Sequence, residues 1–146
     1  MKITNVKELE KIANEIRIDI IETVYRAQSG HPGGSLSCTD ILTVLFFNQM
    51  NISLENPKEK LRDRFILSKG HAAPMFYSVL AHKGYFPTDE LSTLRQIGGR
   101  LQGHPNMKHL PALDCSAGSL GQGLSIANGL AYAFAYRHTT QRVYCM

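Results

Sequence analysis

The chain has 146 residues, of which 43% are apolar and 19% charged, with a formal net charge of +4. That length can bury one domain-sized core, and the apolar share excludes a disordered chain. No stretch reaches the roughly 20 apolar residues of a membrane span, no apolar leader follows Met1, and basic residues nowhere run together. The charge balance suits phosphorylated substrates and nucleic acid alike, so it selects neither. Three cysteines, Cys38, Cys115 and Cys145, form no C-x-x-C pair. Their odd number and spacing predict buried thiols in a reducing cytosol, not a disulfide framework or a zinc site.

In chain order, Asn5 followed by Glu8 is a capping-box start. Leu9, Ile12, Ala13, Ile16, Ile20, Val24 and Ala27 then recur at helical spacing, and Ser29-Gly30 with Pro32 ends this first helix. A second helix is expected with Ser37 as cap and Asp40 at the box position, turning Ile41, Leu42, Leu45 and Phe46 inward. After the turn signals at Asn56-Pro57, the run Phe65-Ile66-Leu67 predicts a buried strand feeding a helix from about Ala72 to Lys83. Pro87 to Glu90 opens a short helix closed by Gly98-Gly99. A second strand is expected near Ala112 to Ser116, and an alanine-rich helix from Gly121–Gly123 to about Arg137. Arg142 to Met146 reads as a third strand, and the chain stops inside it, as expected of a domain incomplete at its C-terminus. Alternating strands and helices predict an α/β fold, a parallel sheet flanked by helices with a helix-rich N-terminal portion, in one domain over 1–146.

Three of the six histidines directly follow glycine, at Gly30-His31, Gly70-His71 and Gly103-His104, where chance gives about half such a pair. Two continue into proline. All three fall at predicted element boundaries, where open α/β sheets bind ligands. Imidazole donates, accepts and moves protons near neutral pH, which suits chemistry on hydroxyls and carbonyls. A single Gly-His pair is more often a cap or a packing device; three in glycine-rich loops favour a site. His82, His109 and His138 lack this context and are assigned to the surface. The histidines lie far apart in sequence with no carboxylate pattern, so a metal site is the weaker reading. Ala117-Gly118-Ser119-Leu120-Gly121-Gln122-Gly123 joins a predicted strand to a helix and lets backbone approach a flat ring or an anion. It is neither G-x-G-x-x-G nor a P-loop. Alone, it serves helix–sheet packing as readily as ligand binding.

Together these stretches resemble the transketolases. Ser29-Gly30-His31-Pro32-Gly33-Gly34-Ser35-Leu36-Ser37 is similar to the family's first histidine loop, and Asp63-Arg64-Phe65-Ile66-Leu67-Ser68-Lys69-Gly70-His71 to its strand-and-histidine motif. Arg100-Leu101-Gln102-Gly103-His104-Pro105 is similar to the third histidine segment, and Gly118-Ser119-Leu120-Gly121-Gln122-Gly123 to the loop over the cofactor. The Gly33-Gly34 pair and Ser119 resemble the split transketolases, in which separate chains carry the two halves. G-H-P-G-G and R-L-Q-G-H-P argue against deoxyxylulose-phosphate synthase.

The resemblance implies a partial thiamine-diphosphate-binding fold and transfer of a two-carbon ketol unit from a ketose phosphate to an aldose phosphate. His31 and His104 would act on the donor sugar as catalytic residues. His71, Gly118, Ser119 and Leu120 would contact thiamine diphosphate. The family's G-D-G motif and asparagine, which hold magnesium, follow a strand like Val143–Met146 and are expected beyond residue 146; Asp114 and Asn128 do not occupy their places. The activating glutamate belongs to the second half. The implied partners are sugar phosphates and a C-terminal transketolase subunit or half, in a homodimer or heterotetramer. The implied setting is the cytoplasmic pentose phosphate pathway, with no nucleic acid and no membrane. By itself this chain is expected to be inactive. A different class of reading is a non-catalytic fragment or assembly subunit of a thiamine-diphosphate enzyme.

Overall fold

The computed structural model describes residues 2–56 and 59–146; Met1 and Pro57 of the expected turn lie outside them. Helix α1 spans Val6–Ala27, opened by the Asn5 side chain, which accepts from the Lys7 N–H, and closed by Gln28 in the left-handed conformation. Its buried face is Ala13, Ile16, Ile20 and Thr23, set by the 3.6-residue period and turned toward α4. Helices α2 (Pro32–Leu36) and α3 (Thr39–Val44) follow, α3 running into a π-type turn over Leu45–Gln49. Strand β1 (Arg64–Ile66) leads through a 3₁₀ turn, Gly70–Ala72, into α4 (Ala73–Lys83). A second 3₁₀ turn covers Thr88–Thr93; α5 (Gln122–Tyr136) and β2 (Val143–Cys145) complete the order.

Strands β1 and β2 pair in parallel, with Phe65 opposite Tyr144. A parallel pair needs a long crossover, and α4 and α5 lie in it. The core sits around α4, whose residues from Ala73 to Ala81 are all buried. Phe46, Phe65 and Phe76 meet edge to face at centroid distances of 5.0 to 5.7 Å, joining the π-type turn, β1 and α4. No helix among the described residues is long and apolar enough to cross a membrane.

Four sequence expectations are corrected. Ala112 to Ser116 is not a strand: the Phe65 N–H on the outer edge of β1 donates to the Asp114 carboxylate at 2.9 Å, so a side chain takes the ladder's place. The same carboxylate accepts from Arg62 and Arg64, pinning the 110–117 segment beside the sheet. An unexpected short helix, α2, opens at Pro32, whose ring presets the helical φ, and the expected helix follows as α3 with Cys38, not Ser37, at its N-cap. Ser37 donates to the Gly34 carbonyl instead of capping, Asp40 pairs with Arg17, and Ile41 is 55% exposed. His82 is half-buried between α4 and α1, with Nε2 2.8 Å from the Asp19 carboxylate, while His109 and His138 are exposed as expected. Of the cysteines only Cys38 is buried, and Cys145 lies exposed on β2.

Candidate active site at the carboxyl end of β1

Glycines let three loops meet beyond Ile66. Gly34 and Gly70 each stand where a Cβ would collide: at Gly34 it would lie 2.9 Å from His71 Nε2, and at Gly70 2.9 Å from the Ala117 carbonyl carbon and 3.0 Å from Gly118 N. The first gap seats the His71 ring against α2. The second lets the His71 loop press its backbone onto the Gly118 loop.

His31 immediately precedes α2 and is exposed; its ring meets that of His71 edge-on, centroids 5.6 Å apart. Lys69 fixes this pairing from the β1 side, Nζ donating to the Gly34 carbonyl at 2.9 Å. The start of α5 packs equally tightly. A Cβ on Gly123 would lie 2.8 Å from Ser68, and the Gly121 N–H donates to the Ser68 carbonyl at 3.0 Å.

His104 joins from a third direction. Its loop is tied to the same segment by the bond from the Ala117 N–H to the Pro105 carbonyl, 3.0 Å. A cavity of about 320 Å³ is lined by His104, Asn106, Ser116 and Ala117, among others. A second, of about 290 Å³, is lined by Ile66, Ser116, Ala117, Gly118, Ser119 and Gln122, among others. Ser116 and Ala117 are common to both. His31 and His71 are therefore in direct contact, while His104 is linked to them through the Gly118 loop. Gly118, Ser119 and Leu120 are exposed, and a Cβ at Gly118 would meet nothing within 4 Å.

The walls of the second cavity offer no carboxylate, only backbone, apolar groups, the Cys115 thiol, the hydroxyls of Ser116 and Ser119 and the Gln122 amide. Beside it the Ser68 hydroxyl is buried with no hydrogen-bond partner. Those walls suit a heteroaromatic ring, which needs close backbone and a few polar contacts. Among the described residues no three His, Cys, Asp or Glu side chains converge to hold a metal. Asp114 is engaged by two arginines.

Sequence reasoning passed over Lys69, Gly34 and Arg95 as individual contributors. Arg95 donates from Nη1 to the Ser29 hydroxyl at 2.9 Å. Gly34 was signalled through the Gly33-Gly34 pair and Lys69 through the Asp63–His71 motif, while nothing in the sequence marked Arg95.

A parallel strand pair with histidine- and glycine-bearing loops gathered beyond β1 defines a cofactor-binding α/β domain. The family model for the transketolase thiamine diphosphate binding domain matches residues 8–142, and the chain belongs to that family. It is 45% identical to the transketolase of Pongo abelii over 139 residues, which are 94% of this chain and 22% of that protein. It is 42% identical to a 6-deoxy-6-sulfo-D-fructose transketolase subunit of a Clostridium species, covering 94% of this chain and 50% of the subunit. Among solved structures it is similar to the transketolase of Leishmania mexicana (TM-score 0.87, 34% identity, 94% of this chain and 22% of that one). A transketolase of Campylobacter jejuni superposes with TM-score 0.88 at 32% identity, over 97% of this chain and 23% of that one. The chain thus spans about a fifth of the length of the single-chain transketolases it matches.

Proposed function

We propose that this chain is the N-terminal portion, 1–146, of the cofactor-binding domain of a cytoplasmic transketolase that moves a two-carbon ketol unit between sugar phosphates. The observation that carries the reading is the edge-on contact of the His31 and His71 rings on a loop whose Gly70 presses onto the Gly118 loop. When bound, thiamine diphosphate supplies the nucleophilic carbon and electron sink needed to cleave a bond next to a carbonyl. The chain's own residues position and protonate. Backbone of Gly118, Ser119 and Leu120 would hold the aminopyrimidine of the bound cofactor, with His71 as its further contact. His31 and His104 are the catalytic residues, hydrogen-bonding hydroxyls and carbonyl of the donor ketose and moving protons there.

Magnesium belongs to the same proposal, with its oxygen ligands supplied by residues outside this sequence. So does pairing with a second transketolase half or subunit and assembly into a homodimer or heterotetramer. The test is a coupled assay of the active enzyme that carries this domain, with ketose phosphate donor, aldose phosphate acceptor, thiamine diphosphate and magnesium. Transfer that Gly118→Val abolishes by weakening cofactor binding, and that Ser119→Ala leaves intact, is the expected result. Equal turnover and equal cofactor affinity in both variants would overturn the role given to this loop.

A further inference from the structure

The His31 segment is held on two flanks. Toward His71 it is held by Lys69, bonded to the Gly34 carbonyl. Toward His104 the link is Arg95. Its Nη1 donates to Ser29, two residues before His31, at 2.9 Å, while the flat of its guanidinium lies where a Cβ on Gly103 would stand, 2.9 Å from Nε and 3.0 Å from Cζ. Gly103 directly precedes His104. One side chain therefore spans the two loops that carry the proposed catalytic histidines, although Ser29 and Arg95 are 66 residues apart in sequence.

Arg95's own backbone is in the left-handed region, φ +60°. Gln28 and His138 share that conformation at the ends of α1 and α5, where left-handed residues are ordinary. Arg95 instead lies in the loop after the second 3₁₀ turn, its N–H donating to the Leu101 carbonyl at 2.9 Å. A branched-away conformation kept by a bulky residue needs surrounding contacts to hold it. Here those contacts are Leu101 on the backbone and Ser29 and Gly103 on the side chain. Tyr77, fully buried in α4, anchors the same segment by donating to the Gln102 carbonyl at 2.7 Å, so the clamp works against a fixed wall.

We propose that Arg95 is a positioning residue: wedged on Gly103 and bonded to Ser29, it fixes the spacing of the His31 and His104 loops. The proposal rests on the ketol-transfer reading for its catalytic consequence, but the clamp itself does not. Arg95 is exposed, so replacing it removes no core packing. Gly103→Ala evicts the guanidinium while keeping the arginine, and so supplies an independent perturbation of one contact.

In the active enzyme, Arg95→Met and Gly103→Ala should each lower kcat/KM for the ketose donor about tenfold, the scale of a sub-ångström misplacement of reacting groups. The double variant should be no worse than Arg95→Met alone, because the contact that Gly103→Ala disturbs is one the arginine itself makes. Thiamine diphosphate affinity should stay unchanged, since the His71 and Gly118 loops are untouched. In this 146-residue chain, imidazole NMR resonances of His31 and His104 should both shift in Arg95→Met, while those of His109 and His138 stay still. Multiplying kinetic losses, an equal loss of cofactor affinity, or unmoved His31 and His104 resonances would each overturn the proposal. A parent enzyme with no donor cleavage would instead defeat the ketol-transfer reading, and the resonance shifts would still decide whether Arg95 clamps the two loops.

Discussion

Gly70→Ala should destabilise the chain, and Gly118→Ala, 48 positions on, should not. A Cβ at Gly70 would sit 2.9 Å from the Ala117 carbonyl carbon and 3.0 Å from both Ala117 O and Gly118 N. All three are backbone atoms, so no rotamer change relieves the contact. The obstructing segment is also pinned from behind by the Ala117 N–H bond to Pro105 O. Relief therefore requires the two loops to part by roughly half an ångström, and overpacking of this kind costs about 1–3 kcal/mol. Alanine restricts the unfolded chain, which returns about 0.4–1 kcal/mol, because φ at Gly70 is not in the glycine-only region. The expected net loss is about 1–2 kcal/mol. Gly118→Ala meets nothing within 4 Å and should be neutral or slightly stabilising. Urea unfolding followed by circular dichroism, with midpoints compared at equal m-value, reads the difference. Coincident midpoints for the two variants would refute the close approach of the His71 and Gly118 loops.

Asp114→Ala should cost about 3–5 kcal/mol by the same measurement, because it removes a carboxylate shared by Arg62, Arg64 and the Phe65 N–H in a largely buried setting. Ser119→Ala should lie within about 0.5 kcal/mol of the parent, its side chain being exposed. The hydrogen bond to Asp19 raises the pKa of His82, against the opposing effect of burial. Its stabilising contribution is therefore complete below the unfolded value of about 6.5 and is lost as pH rises through the higher folded value. Unfolding free energies of His82→Gln should lack that decline above pH 6.5, and a parallel pH profile would rule out the pairing as its source.

Much of the fold was legible because period and punctuation agreed. Asn5 with the apolar stripe from Ala13 to Ile20, and the helix expected from about Ala72 to Lys83 after the Phe65 strand, place α1 and α4 within a residue or two of where they lie. The apolar run at Val143–Met146 contains β2, and the run at Phe65–Leu67 overlaps β1, which begins one residue earlier at Arg64. The strand expected near Ala112 failed because a short apolar run bounded by turn residues looks alike whether a ladder or a carboxylate satisfies its neighbour. Asp114 made that choice through partners about 50 residues away. His82 was misplaced for the same reason, its partner Asp19 lying on another helix. Among the site residues, the Gly-His pairs announced themselves locally. What sequence could not supply was the inter-loop geometry: that Gly34 makes room for His71, that Gly70 lies on Ala117, and that Arg95 reaches Ser29.

The central claim is that His31 and His104 act on the donor sugar while His71 and the Gly118 loop hold the cofactor. Steady-state kinetics of His31→Ala and His104→Ala in the active enzyme, with thiamine diphosphate affinity measured on the same preparations, tests it most directly. Each variant should lose about 10²-fold in kcat/KM for the ketose, as expected for a positioned acid–base group, with cofactor affinity nearly unchanged. Variants that turn over normally but bind thiamine diphosphate much more weakly would contradict the assignment.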